Sequence, residues 1–330
     1  MNIRSLLQDA ARADKKAALP ILSFPAAQKL GVTVEELVHS AELQAQAMVT
    51  IARETPTLAG ISLMDLSVEA EAFGAQVRFS RDEVPAIIGQ LVSDEDEANA
   101  LKVPDLTAGR AMLCVEAVRK AKAAITDKPL LAGMIGPYSL AGRLCDVTEI
   151  MYLCFDEPEA VHTVLDKATQ YLIQYGQAMK AAGADGIMMA EPLAGILSPD
   201  MAEEFSMPYV KRIIDALQDE NFAVIYHNCG NSVPAMLDQI YALGAAAYHF
   251  GNAIDMAEIM ARTPADILAM GNIDPAGEFA GGTVESITDA TRQLLEKCGH
   301  YANFIPSSGC DIPAHAKWEN IHAFFAALNK

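Results

Sequence analysis

The chain has 330 residues, of which 52% are hydrophobic and 20% are charged, so it is long and apolar enough to form a sizeable core. This composition excludes disordered, collagen-like and low-complexity classes of protein. Its 24 basic and 43 acidic residues give a formal net charge of −19, which would repel a phosphate backbone or an anionic bilayer. We therefore expect no nucleic acid and no membrane among its partners.

The cysteine content and the N-terminal sequence indicate the cellular compartment. Six cysteines in so long a chain are too sparse for a disulfide framework, which favours a reducing environment. The N-terminal sequence mixes charges every few residues and lacks the continuous apolar run of a signal peptide. The apolar stretch 239–254 is shorter than the roughly 20 residues that a membrane helix needs. We expect a soluble, cytoplasmic protein.

Short apolar runs alternate along the chain with longer segments of helical period. The runs predict eight strands, at residues 19–23, 60–64, 130–135, 186–190, 223–227, 245–250, 267–271 and 303–306. The longer segments predict helices at residues 33–53, 108–124, 158–182, 199–217, 233–243, 256–262, 284–298 and 316–328. The segment 69–103 fits neither a strand nor a single helix, and we interpret it as an elaborated connection.

The repeated alternation of strands and helices predicts a parallel sheet covered by helices. Eight such units, with no linker rich in Pro, Gly or Ser between them, favour a (β/α)8 TIM barrel: a single domain over residues 1–330 with elaborated N-terminal connections. An open doubly wound sheet is the alternative. No phosphate-cradling glycine motif occurs where a predicted strand meets a helix, so the sequence gives no support to nucleotide binding.

His227 and Cys229 lie together at the end of the predicted strand 223–227, in the sequence AVIYHNCGN. Because strand side chains alternate between faces, the two project the same way if the extended conformation continues. Cys310, in PSSGCDIP, follows the last predicted strand, and the loops after barrel strands meet at one end. Each residue alone is more simply a buried thiol or a hydrogen-bonded histidine. Together they make a catalytic type of Cys2His zinc site with one open position as well supported as this simpler interpretation.

Several segments also carry a resemblance, in the same order and over nearly the whole chain. They are DLSVEAEAFG from Asp65, GPYSLAG from Gly136, AEP from Ala190, SPDMAEEF from Ser198, HNCGN from His227, GNIDP from Gly271 and GCDIP from Gly309. With them, the sequence resembles the uroporphyrinogen decarboxylase superfamily. The HNCGN and GCDIP pair is similar to that of its zinc-dependent methylcobamide:coenzyme M methyltransferases.

The resemblance implies a (β/α)8 barrel and a zinc ion held by His227, Cys229 and Cys310. Some members of the superfamily have an acidic fourth ligand near the end of the sixth strand, where this chain reads HFGN from His249. The fourth ligand is therefore open, and His249 is either a ligand, a residue that supports one, or a substrate contact. We group it with Asn252 and Asn272 as predicted cofactor-binding residues.

Two carboxylates at the ends of predicted strands, Asp65 and Glu191, are predicted catalytic residues, and the loop from Gly136 is predicted to bind the cofactor. Asp65 matches the aspartate that binds pyrrole N–H groups in the decarboxylase branch, with a strand-end cap as the alternative. Glu191 is interpreted either as a hydrogen-bond partner of a metal ligand or as a polar wall residue. A tight loop with small residues contains Gly136, Tyr138 and Ser139, and a flat corrin ring could approach it. The alternative is a plain turn.

Glu69 and Glu71 follow Asp65 in the same motif. We expect them to cap or solvate the segment that follows rather than to take part in a reaction.

By resemblance, the expected activity is transfer of a methyl group from a methyl-Co(III) corrinoid to a small thiol such as coenzyme M, with zinc deprotonating the thiol. The corrinoid is expected on a separate small corrinoid protein, because the chain has no corrinoid-binding Asp-x-His-x-x-Gly segment. Tetrahydrofolate or a methylated small molecule could replace the thiol as partner substrate. Uroporphyrinogen decarboxylation is disfavoured because its substrate carries many carboxylates and the decarboxylases have an arginine-rich motif near the first strand. The corresponding segment of this chain, 19–25 (LPILSFP), contains no arginine. A non-catalytic corrinoid- or zinc-binding subunit is the remaining alternative.

Overall fold

A computed structural model describes residues 2–328 of the chain. Its main sheet contains seven parallel strands, which curl into a barrel. In their order across the sheet, these strands are β1 (Gly60–Ile61), β4 (Leu130–Ile135), β5 (Gly186–Ala190), β6 (Ala223–Asn228), β7 (Ala247–Phe250), β8 (Ala269–Ile273) and β9 (Phe304–Ser308). A separate antiparallel pair consists of β2 (Gln76–Arg78) and β3 (Ala86–Ile88).

Helices surround the barrel and connect its parallel strands. In chain order they are α1 (Ile3–Arg12), α2 (Ala26–Leu30), α3 (Val34–Val38), α4 (Ala41–Glu54), α5 (Val68–Ala72), α6 (Glu95–Ala100), α7 (Ala111–Ala124), α8 (Pro137–Cys145), α9 (Glu149–Asp156), α10 (Pro158–Ala181), α11 (Pro199–Phe205), α12 (Met207–Leu217), α13 (Leu237–Ala242), α14 (Met256–Arg262), α15 (Val284–Cys298) and α16 (Trp318–Ala327). Short 3₁₀ turns lie at Leu193–Ile196 and Val233–Met236, and a π-helical turn lies at Pro275–Ala280. Between residues 2 and 328, no helix combines the length and apolarity needed to cross a bilayer.

The barrel architecture is confirmed, but the predicted first strand is wrong as a strand. Residues 18–21 are extended and lie between β9 and the segment that enters β1, because Leu19 N–H donates to the Pro306 carbonyl at 3.1 Å and Leu58 N–H donates to the Ala18 carbonyl at 3.0 Å. No regular ladder forms there because Pro20 has no N–H to donate. The N–H of Ile21 goes to the Ser308 side chain at 3.0 Å instead of to a backbone carbonyl.

Three predicted helical segments are also interrupted. The segment 33–53 forms α3 and α4, separated at Ser40, whose side chain accepts from Leu43 N–H and so starts the second helix. The segment 199–217 forms α11 and α12, because Pro208 suits only the first turn of a helix. The segment 233–243 is a 3₁₀ turn followed by α13. The elaborated connection 69–103 contains most of α5, the β2–β3 hairpin and α6.

The strands of the barrel are buried on both faces, as expected of a parallel sheet covered by helices. The interior of the barrel is an apolar cluster that includes Ile61, Met188, Ile225 and Ile305. Ile3, Leu7 and Ala11 of α1, a helix missing from the sequence prediction, belong to the same cluster. This apolar filling leaves the carboxyl ends of the strands as the place where polar side chains can gather.

Candidate metal centre

The three residues predicted as metal ligands lie together at the carboxyl end of the barrel. His227 is the fifth residue of β6, Cys229 follows that strand, and Cys310 lies two residues beyond β9. One ligand atom from each residue lies within 4.8 Å of those of the other two, and Cys310 Sγ is 3.5 Å from His227 Nε2. Within residues 2–328, no other group of three or more His, Cys, Asp or Glu side chains comes together in this way.

The spacing of these atoms fits a tetrahedral zinc ion. Zinc binds imidazole nitrogen at about 2.0–2.1 Å and thiolate sulfur at about 2.3 Å, so tetrahedral angles place the nitrogen and sulfur ligands about 3.5 Å apart. The 3.5 Å between His227 Nε2 and Cys310 Sγ equals this value. A soft donor set of two thiols and one imidazole also suits zinc better than magnesium or calcium.

A chain of hydrogen bonds sets the tautomer of His227. Ser307 Oγ donates to the Leu19 carbonyl at 2.7 Å and therefore accepts from His249 Nε2, also at 2.7 Å. Burial lowers the pKa of His249 well below its usual value, so its ring is neutral and its Nδ1 is an acceptor. His227 Nδ1–H then donates to His249 Nδ1 at 2.8 Å, with the His249 carbonyl at 3.3 Å as a second acceptor. The lone pair of His227 is left on Nε2, the atom nearest to Cys310.

His249 therefore lies behind His227 and not at the opening of the site. Its side chain is fully buried, and its two ring nitrogens contact Ser307 and His227. Of the alternatives for His249, this position matches a residue that orients a ligand through the ligand's other ring nitrogen.

Close packing holds the loops that carry the cysteines. A Cβ atom on Gly251 would come within 2.5 Å of Cys229, and one on Gly309 within 2.6 Å of the Asn252 side chain, so both positions require glycine. Asn272 donates to the carbonyls of Gly251 and Ile254 at 2.8 and 2.9 Å and so holds the loop after β7. Asn252 itself is exposed on that loop, whereas Asn272 is a support for it.

The two thiols are close enough to influence each other's ionisation. The hydrogen bond from Cys310 lowers the pKa of Cys229 to about 7, and the same contact raises the pKa of Cys310 to about 12. One thiol of the pair is therefore readily ionised at neutral pH while the other keeps its proton. A cation between them would replace that shared proton.

Asp65 lies at the same end of the barrel, bound to an arginine that the sequence analysis missed. Arg110 Nη1 is 2.5 Å from Asp65 Oδ2, and Arg110 Nε is 2.7 Å from Glu71 Oε2. Ser67 donates to Asp65 Oδ1 from its N–H at 3.1 Å and its O–H at 2.6 Å. Asp65 is therefore fixed in place by charge and hydrogen bonds. The available signal was Arg110 at the start of the predicted helix 108–124, directly before the apolar run AMLCV.

Glu191 is fully buried, and its carboxylate caps a helix. Its two oxygens accept from Ser139 N–H at 2.6 Å and Tyr138 N–H at 3.1 Å, at the start of α8. Such N–H groups have no partner within their own helix, and the helix dipole favours a negative charge beside them. Burial nevertheless raises the pKa of Glu191 to about 7. Its backbone N–H donates to the His227 carbonyl at 2.8 Å, so it supports the ligand-bearing strand; its catalytic role stays a prediction.

The predicted corrin-binding loop has its side chains turned into the protein. Tyr138 is fully buried with its hydroxyl 3.3 Å from Met151 Sδ, and the Ser139 hydroxyl accepts from Leu193 N–H at 3.0 Å. A Cβ on Gly136 would lie 2.5 Å from the Glu191 carboxylate. The small residue at position 136 is thus required by Glu191, and the side chains of Tyr138 and Ser139 are not available to a corrin ring in this conformation.

Comparison with known proteins places these features in a family. A model of the family Uroporphyrinogen decarboxylase (URO-D) matches residues 17–330. Methylcobamide:CoM methyltransferase MtbA from Methanosarcina acetivorans is 27% identical, over 80% of this chain and 81% of the relative. Uroporphyrinogen decarboxylase from Vibrio vulnificus is 28% identical, over 80% of this chain and 76% of the relative. The solved structure of a methyltransferase from Methanosarcina mazei superposes with a TM-score of 0.88 at 23% identity, covering 99% of this chain and 98% of that one.

Proposed function

Because the chain belongs to the uroporphyrinogen decarboxylase family, we propose that it is a zinc-dependent methyltransferase that moves a methyl group from a methyl-Co(III) corrinoid to a small thiol. The observation that carries this proposal is the convergence of His227, Cys229 and Cys310, with the lone pair of His227 Nε2 facing Cys310. The relative from Methanosarcina acetivorans, whose name specifies methylcobamide and CoM, supports the choice of reaction.

His227, Cys229 and Cys310 would hold the metal ion and balance its charge. Zinc bound here would lower the pKa of a thiol entering its open position and so supply a nucleophilic thiolate at neutral pH. His227 would bind as a neutral ligand, oriented by His249, while Cys229 and Cys310 would each contribute one negative charge. Two thiolates balance the 2+ charge, so an acceptor sulfur keeps enough electron density to react.

The proposed reaction is a nucleophilic displacement at the methyl carbon. The acceptor sulfur forms a bond to that carbon while the cobalt–carbon bond breaks, and both electrons of the broken bond stay on cobalt, which goes from Co(III) to Co(I). The thiol proton is released to solvent. The corrinoid acts as a co-substrate. We propose that a separate small corrinoid protein delivers it in the cytoplasm.

A specific observation bears on the decarboxylase alternative. Arg110 and Arg143 lie at the carboxyl end of the barrel, so the site has more guanidinium groups than the segment 19–25 alone indicates. Arg110, however, already binds Asp65 and Glu71. A single uncommitted arginine is a poor match for a substrate with many carboxylates, and methyl transfer is the better supported function.

The test is a spectroscopic assay of methylcobalamin or a methylated corrinoid protein with the zinc-loaded enzyme. Loss of the methyl-Co(III) spectrum and appearance of Co(I) should require a thiol such as coenzyme M, and zinc removal should abolish it. Cys310→Ser should abolish transfer, whereas Cys298→Ser, a change of a buried cysteine in α15, should leave it intact. Turnover of tetrahydrofolate or uroporphyrinogen with every thiol inactive would refute the thiol acceptor. No turnover with zinc retained would favour a non-catalytic subunit.

A further inference from the structure

The short helix α9 carries the two most exposed large hydrophobic side chains within residues 2–328. Tyr152 is 61% exposed and Phe155 is 73% exposed, although Leu153 and Cys154 between them are buried in the core. The two rings are three positions apart on one helix, so they lie next to each other on its outer surface. Val147, directly before α9, adds a third exposed apolar side chain. Large apolar side chains that are exposed side by side indicate a surface that contacts a partner.

Another exposed apolar side chain lies beside the loop that carries Cys229. Ile196, which is 52% exposed, ends the 3₁₀ turn that follows β5. The carbonyl of Gly195 in this turn accepts from Ser232 N–H at 3.1 Å. A Cβ on Gly195 would come within 2.5 Å of Gly230 Cα, so the turn packs directly on the residue that follows Cys229. Ile196 is therefore one residue away from a backbone contact with the Cys229 loop.

The same 3₁₀ turn and α9 both pack against α8. Gly142 of α8 has no room for a side chain, because a Cβ there would overlap Leu193 and would also lie 3.7 Å from Ile150. Leu193 begins the turn, and Ile150 lies in the first turn of α9. The turn and α9 are thus neighbours on the end of the barrel that holds the metal group. We refer to the exposed apolar side chains of this part of the rim as the α9 face: Val147, Tyr152, Phe155 and Ile196.

Acidic residues border the α9 face. The segment 144–159 contains five acidic residues and no Lys, Arg or His. Helix α6 lies beside it, since Glu95 N–H donates to Glu157 Oε2 at 2.9 Å, and the segment 93–101 adds four acidic residues and no basic one. These residues are Asp94, Glu95, Asp96, Glu97, Asp146, Glu149, Asp156, Glu157 and Glu159. Within residues 2–328 none of their carboxylates forms an ion pair, so their negative charge is available to a partner.

The charge around the α9 face specifies the kind of partner that fits it. A second copy of the chain would bring the same carboxylates against each other, because a twofold dimer pairs a surface with itself. An anionic bilayer or a nucleic acid would be repelled for the same reason. A protein is complementary in both respects if its contact surface has an apolar hollow bordered by Lys or Arg side chains.

We propose that the α9 face is the docking surface for the corrinoid protein, which presents an apolar hollow with a basic border to it. The inference rests on the proposed methyltransferase function and specifies where and by what chemistry its protein partner binds. A corrinoid protein bound at α9 lies beside the 3₁₀ turn that contacts the Cys229 loop, so its corrinoid is delivered at the metal end of the barrel. Two aromatic anchors with a charged border suit a small interface that forms and dissociates in each turnover.

The test compares a methylated corrinoid that is free with one that is bound to its protein. The probes are methylcobalamin and, of the methylated corrinoid proteins encoded in the source genome, the one that binds the zinc-loaded enzyme most tightly. The double variant Tyr152→Ser, Phe155→Ser should raise Kd for the corrinoid protein about tenfold to hundredfold and leave kcat/KM for methylcobalamin unchanged. Val284→Ser, a change of an exposed apolar residue at the start of α15, is the matched control and should change neither quantity.

A second variant tests the charge of the border. Asp156→Lys, at the exposed end of α9, should slow association of the corrinoid protein several-fold and reduce the effect of added salt on it. Glu296→Lys makes the same change of charge in the last turn of α15 and should leave the association rate nearly unchanged. A lysine in the last turn of a helix is compatible with folding, and thermal melts verify that each variant is folded.

The outcomes separate this inference from the proposed function. An unchanged Kd for the corrinoid protein in the folded double variant overturns the docking surface, as does the absence of binding by every corrinoid protein of the source genome. Dimers of the unaltered chain that the double variant abolishes would assign the α9 face to self-association and also overturn it. Equal losses of activity with methylcobalamin and with the corrinoid protein would overturn it as well. Binding of the corrinoid protein that depends on the α9 face, without methyl transfer from either donor, would leave the docking surface standing and refute the methyltransferase proposal.

Discussion

Replacing His249 by Phe should weaken zinc binding without altering any ligand. The change removes the acceptor that lies 2.8 Å from His227 Nδ1 and leaves the His249 backbone carbonyl at 3.3 Å as the remaining acceptor. The imidazole of His227 is then less firmly held with its lone pair on Nε2. Loss of such a support typically costs 10- to 100-fold in metal affinity, which corresponds to about 1.4–2.8 kcal/mol.

Zinc affinity would be measured by competition with a fluorescent chelator of known affinity, on protein shown by circular dichroism to be folded. Phe preserves a planar apolar ring in a fully buried position, and Ser307 keeps its bond to the Leu19 carbonyl. His39→Phe, a change of an exposed histidine with no contact to the metal ligands, is the control and should leave affinity unchanged. Equal zinc affinity of folded His249→Phe and the unaltered protein would refute the hydrogen-bond argument.

Three other predictions concern the metal and the buried carboxylates. Elemental analysis should find about one zinc ion per chain, and most of this zinc should be lost in Cys229→Ser and in Cys310→Ser. An undiminished zinc content in both variants would refute the proposed metal site. Asp65→Asn should lower the methyl-transfer rate. Glu191→Gln should instead lower the free energy of unfolding by about 1–2 kcal/mol, because it removes a helix-capping hydrogen bond. A Glu191→Gln variant with unchanged stability and a reduced rate would show that Glu191 acts in the reaction and not as a helix cap. Because burial raises the pKa of Glu69 from 4.5 to about 7, stability should fall as pH rises through that interval by up to about 3 kcal/mol, and Glu69→Gln should remove this loss in denaturant titrations at pH 5 and pH 8.

Much of the fold, and the grouping of His227, Cys229 and Cys310, could be predicted from the sequence because both follow local patterns. Apolar runs locate the strands, and the residues that follow them, such as Cys229 and Cys310, must gather at one end of a parallel barrel. The prediction of a first strand at residues 19–23 was wrong because the side-chain pattern is that of a strand, whereas Pro20 prevents a regular ladder of backbone hydrogen bonds. The spacing of apolar side chains predicts which face is buried, but it does not show whether each backbone N–H is available for a ladder hydrogen bond.

The remaining site residues depend on contacts distant in sequence. Arg110 and Asp65 are 45 positions apart, and Glu191 meets the start of α8 across more than 50 positions. No pattern around Glu191 distinguishes a carboxylate that faces substrate from one that caps another helix. The orienting role of His249 follows only from the position of Ser307, since the acceptor at one ring nitrogen decides the tautomer at the other.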